Sequence, residues 1–68
     1  MNKYYFTFGF GQKFENCFTV IEAKNRSSAR EKMFTEYGNK WSMQYDDKGW
    51  YDETGESQQE RYNLREIK

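Results

Sequence analysis

The chain has 68 residues, 11 basic and 11 acidic side chains, one cysteine and no histidine. That length leaves room for one domain spanning residues 1–68 with one small core. The lone cysteine excludes an internal disulfide, the missing histidine removes the commonest zinc ligand and general base, and zero net charge implies neither a strong polyanion binder nor a wholesale nucleic-acid mimic. No apolar run approaches the roughly 18 residues of a membrane span and no secretory signal is present, so the expected setting is the cytoplasm, without a membrane. A free thiol fits such a reducing compartment.

In chain order, Lys3-Tyr4-Tyr5-Phe6-Thr7-Phe8 is rich in β-formers and predicts a strand, with Tyr4, Phe6 and Phe8 on one face and Tyr5 and Thr7 on the other. Gly9-Phe10-Gly11 opens a loop that runs to Asn16. Cys17 to Ala23 predicts a second strand, antiparallel to the first. The period then changes. Ala29, Met33 and Tyr37 recur at helical spacing, Asn25 or Ser27 can cap the start, and Gly38-Asn39 can end it, which predicts a helix over residues 26–37.

Trp41-Ser42-Met43-Gln44-Tyr45 alternates large apolar with polar residues, as a half-buried strand does. Asp46-Asp47-Lys48-Gly49 predicts a turn, with Trp50-Tyr51 returning as a short hairpin arm. Residues 52–60 are polar and predict a mobile loop with room for one helical turn, and Tyr62 to Ile67 closes the chain as a strand. The expected fold is therefore α+β: a two-layer β-β-α-β-β domain with an antiparallel sheet and one helix on one face. The predicted core is Phe6, Phe8, Ile21, Ala23, Ala29, Met33, Tyr37, Trp41, Met43 and Leu64.

Six Phe, six Tyr and two Trp make up 21% of the chain. Each can bury about 150–250 Å², so they exceed what one small core needs. Some are expected on a second, open sheet face showing Tyr5, Phe18 and Val20. The charge is also uneven. Residues 1–45 carry seven Lys/Arg against four Asp/Glu, whereas residues 46–60 carry six acids (Asp46, Asp47, Asp52, Glu53, Glu56, Glu60) against Lys48.

The chemical motifs are weak. Gly9-Phe10-Gly11 lacks the full glycine pattern and is followed by a strand rather than a helix, so it is a loop and not a phosphate cradle. The acidic segment does not meet calcium-loop spacing, because Lys48 stands where an acid belongs and Gly49 comes too early. It reads as a solvated loop or as a contact surface for a basic partner. Cys17 has no histidine to activate it. Neither catalytic residues, a metal site nor a cofactor are predicted. Tyr4 to Phe8 superficially resembles the base-stacking strands of RNA-recognition modules, with Lys3, Lys13 and Lys24 beside it, but the formal motif is absent.

Several stretches together, Tyr4 to Gly9, Val20 to Ala23 leading into Ala29 to Met33, Tyr37 to Asp46, and Tyr62 to Ile67, resemble a group of short, functionally uncharacterised proteins encoded by phages and prophages. The resemblance carries over no functional residues. It implies a context in which small proteins bind one host protein or complex, inhibitors of host defence systems among them. The leading expectation is a non-enzymatic module that binds a host protein, with partner contacts at Tyr5, Phe18, Trp50 and Tyr51. The alternative is a small single-stranded nucleic-acid binder using the sheet aromatics and lysines. A homodimer that buries the open face is the third.

Overall fold

The computed structural model describes residues 1–9, 11 and 13–67. Phe10, the centre of the Gly9-Phe10-Gly11 motif, lies outside the described residues. Strands β1 (Asn2–Thr7) and β2 (Cys17–Ala23) pair antiparallel, from Asn2 opposite Ala23 to Thr7 opposite Phe18. Helix α1 (Arg26–Tyr37) follows. Then come β3 (Met43–Tyr45), a single helical turn α2 (Asp47–Trp50), a short helix α3 (Gln58–Tyr62) and β4 (Arg65–Glu66). The four strands form one sheet in the order β3-β1-β2-β4. The fold is α+β.

Helix α1 begins where the sequence places it. Asn25 has extended backbone and its side chain accepts the Ser28 N–H at 2.9 Å, filling one of the orphan donors of the first turn. Gly38 ends it at φ 63°, a conformation that costs glycine little, and its N–H reaches the Phe34 carbonyl at 3.0 Å. Ala29 and Met33 are fully buried under this helix with Tyr4, Phe6, Phe8 and Ala23. Edge-on aromatic contacts tie the layer together: Phe6 to Trp41 at 5.1 Å and Phe8 to Tyr37 at 5.2 Å.

Three expectations need correction. The sheet is mixed, not antiparallel: β4 runs parallel to β2, with the Arg65 and Ile67 N–H groups donating to the Asn16 and Phe18 carbonyls. The chain crosses from the β3 edge to the β2 edge through α2 and α3, and so arrives alongside the start of β2. Second, Asp46 to Tyr51 is not a hairpin arm. Asp46 caps α2 by accepting the Gly49 N–H at 2.9 Å, and the Trp50 N–H bonds the Asp46 carbonyl.

Third, Met43 and Leu64 do not join the core under α1. Gln44, opposite Phe6, reaches the Arg26 carbonyl of α1, so Met43 and Tyr45 project to the other side of the sheet. Met43 is half-exposed there, and Leu64 packs with Tyr5, Phe18 and Trp50 on that same side.

Candidate functional site

The sheet side opposite α1 carries the second apolar cluster, with exposed Tyr51 and half-exposed Met43 beside it. Register explains its composition. Tyr45, Tyr5 and Val20 lie side by side across β3, β1 and β2, and Met43, Thr7 and Phe18 form the next row. The single turn α2, which ends at Trp50, delivers the Trp50 ring onto this platform. Trp50 stacks on Tyr5 with ring centroids 4.6 Å apart and planes 4° from parallel. It also meets Phe18 at 5.1 Å and Tyr45 at 5.5 Å. Tyr5, Phe18 and Trp50 are consequently 7%, 3% and 2% exposed.

The sequence-predicted contact residues are thus brought together, three of them as a core rather than a surface. The expected open face is covered by the chain's own Trp50. Tyr51, the fourth, remains 45% exposed and meets the Tyr5 ring edge-on at 6.4 Å. Tyr5 Oη donates to Asp47 Oδ1 at 2.8 Å, which locks α2 to β1 through a bond spanning 42 residues. Burial, followed by the hydrogen bond to Asp47 and its charge, holds the Tyr5 phenol well above its ordinary pKa.

Residues 51–62 are ordered by their own polar groups. Asp52 Oδ1 accepts the Thr54 hydroxyl at 2.7 Å and the N–H groups of Thr54 and Glu56 at 2.9 Å. These bonds, the Thr54 hydroxyl foremost, hold the Asp52 carboxyl below its usual range. Arg61 bridges Asp52 at 2.7 Å and Glu56 at 3.3 Å. Ser57 and Glu60 form a reciprocal capping box that starts α3, and Asn63 ends it in the left-handed conformation. The stretch expected to be a mobile loop with room for one helical turn is a hydrogen-bonded turn followed by the short helix α3.

Sequence reasoning missed Tyr62 and Met43. Tyr62 is 62% exposed and Met43 51% exposed. Tyr62 lines a groove of about 320 Å³ with Thr7, Tyr45, Gln58 and Leu64, and Glu15 stands in the same lining. The Ser57–Glu60 capping spacing was the available signal for α3, and hence for a side chain presented at its end.

Cys17 is half-buried, with its Sγ 3.7 Å from the Glu15 carbonyl, and no ionisable side chain hydrogen-bonds it among the described residues. Among the described residues no group of three His, Cys, Asp or Glu side chains converges to hold a metal ion. No described helix is long and apolar enough to cross a membrane. The chain matches no family model, and no curated protein or solved structure is significantly similar to it.

Proposed function

We propose that this chain is a non-enzymatic protein-binding module of phage or prophage origin that acts in the cytoplasm on a host protein, a defence-system component being one example. Its contact face is the sheet side opposite α1. The observation that carries this reading is the coincidence, on that side, of exposed Tyr51, Tyr62 and Met43 with a rigid aromatic foundation of Tyr5, Trp50 and Phe18. Tyrosine loses little conformational freedom when it is buried at an interface, and it is among the side chains most enriched at binding hot spots. Of the six acids in the 46–60 segment, Asp52 and Glu56 pair with Arg61, and the other four (Asp46, Asp47, Glu53 and Glu60) bias the choice toward a partner with a basic surface.

Buried Tyr5, Phe18 and Trp50 act as the foundation of the face. Tyr51, which they support, makes the contact. Trp50 also supplies within the chain the cover that self-association would otherwise give to this side of the sheet.

A second reading, binding of single-stranded nucleic acid, has one observation in its favour. Lys13 and Lys40 line a trough with Phe14 and Tyr37, and the Lys13 ammonium lies 5.6 Å from the centre of the Phe14 ring. Against it, stacking needs exposed rings, and Tyr5 and Phe18 are buried. Capture from a bacterial lysate with and without nuclease separates the two. Stoichiometric retention of one protein despite nuclease supports the protein-binding reading. Retention abolished by nuclease, with a steep salt dependence, supports the second.

A further inference from the structure

We propose that the groove between β1, β3 and α3 receives an arginine side chain of the partner. This rests on the reading of the chain as a protein-binding module and names the chemistry the partner must present. Three aromatic residues line the groove: Tyr45 half-buried, Tyr62 exposed, and Phe8, whose ring is buried in the cluster under α1; Leu64 and Thr7 of β1 stand beside them. Among the described residues no lysine or arginine lines it.

The polar groups of the lining are acceptors or can act as acceptors. Glu15 is exposed, and its Oε1 accepts the Gly11 N–H at 3.2 Å. Gln58, on the first turn of α3, adds an amide oxygen.

This combination suits a flat cation. A guanidinium stacks on a tyrosine face while its N–H fork binds a carboxylate, whereas a lysine ammonium is a compact, strongly hydrated point charge. A neutral or anionic side chain would gain the apolar contact but leave Glu15 without a counter-charge. The acidic 46–60 segment extends the same preference beyond the groove by raising the local concentration of cationic segments. The groove supplies position, because aromatic stacking works only in contact, whereas the acidic field acts at a distance and screens with salt.

The test titrates the full 15N-labelled chain with three blocked tripeptides, Ac-Gly-Arg-Gly-NH2, Ac-Gly-Lys-Gly-NH2 and Ac-Gly-Gln-Gly-NH2. It follows the backbone amides of Thr7, Gly9, Tyr45 and Leu64. The expected result is a saturable shift at these amides, strongest for the arginine peptide. Tyr62→Ala and Glu15→Gln, both at exposed positions, should each weaken it about two- to five-fold, the range of a surface cation–π contact or charge pair. Equal binding of the glutamine peptide, or shifts spread along residues 46–60 and indifferent to Tyr62→Ala, would overturn the proposal.

The proposal and the protein-binding reading fail separately. If the arginine peptide does not bind but lysate capture is lost in Tyr62→Ala, the partner face stands and the arginine assignment falls. If the peptide binds and capture ignores Tyr62→Ala, the groove stands and the partner face falls.

Discussion

Replacing Trp50 by alanine removes the one large side chain that holds α2 against the sheet. The ring is 2% exposed and packs on Tyr5 at 4.6 Å, Phe18 at 5.1 Å and Tyr45 at 5.5 Å. Truncating a buried tryptophan costs about 3–5 kcal/mol, the sum of lost transfer energy and an unfilled cavity. A domain of 68 residues has a total stability of about 3–10 kcal/mol at typical per-residue values. The substitution therefore removes a third of the stability at the least, and all of it if the domain lies near the lower bound. Relaxation of α2 cannot recover the loss, because a single turn has no helical stability of its own.

The assay is urea unfolding at 25 °C followed by far-UV circular dichroism, with Trp50→Phe as the control. The phenylalanine variant keeps a ring over Tyr5 and should lose about 1–2 kcal/mol. Trp50→Ala with an unchanged slope and a midpoint shift worth less than about 1 kcal/mol would refute the packing argument. It would return Trp50 to the exposed arm that its turn-like neighbours suggest.

Three further outcomes follow from the same contacts. The Tyr5 phenol, raised by burial and by Asp47, contributes stability that is complete below its unfolded value of about 10 and is lost as pH rises through the higher folded value. The 13Cζ shift of Tyr5 should stay that of the neutral ring past pH 10 until the domain unfolds, and a phenolate forming near pH 10 in the folded protein would contradict this. Asp52, lowered by the Thr54 hydroxyl and its neighbours, works in the opposite sense. Its contribution is present above the ordinary carboxylate value of about 3.9 and is lost as pH falls through the lower folded value, read from the Thr54 and Glu56 amide shifts, and titration at 3.9 or above would contradict it. Asn25→Ala removes the N-cap of α1 and should cost about 1 kcal/mol in urea unfolding, against no change if the Ser28 N–H were satisfied elsewhere.

What the sequence discloses follows the range of the interactions involved. Helix α1 is legible because Ala29, Met33 and Tyr37 repeat over three turns and both caps, Asn25 and Gly38, are local. Strands β1 and β2 are legible by alternation and by their adjacency in the chain. The turn α2 is not, because four residues including Gly49 are too few to display a period, and its packing partner Tyr5 lies far away in sequence. The parallel strand β4 is two residues long and is specified by where α3 ends, a non-local outcome.

The same distinction governs the candidate site. Aromatic composition pointed to Tyr5, Phe18, Trp50 and Tyr51, but exposure is a tertiary property, and Trp50 withdraws the first three from solvent. Continuing the alternation from Trp41 predicts Met43 in the core. The ladder actually shifts at that point: the Ser42 N–H bonds the Thr7 carbonyl at 2.7 Å, Trp41 packs against Phe6 under α1, and Met43 emerges on the opposite side.

The most direct test of the proposed partner face is capture from a nuclease-treated bacterial lysate, comparing the native chain with a Tyr51→Ser/Tyr62→Ser variant whose fold is checked by circular dichroism. Both side chains are exposed, so the variant should unfold within about 1 kcal/mol of the native chain. One host protein is expected to be retained stoichiometrically by the native chain and lost by at least ten-fold in the folded variant, a change of about 1.4 kcal/mol. Equal retention of that protein by both would contradict the proposed partner face.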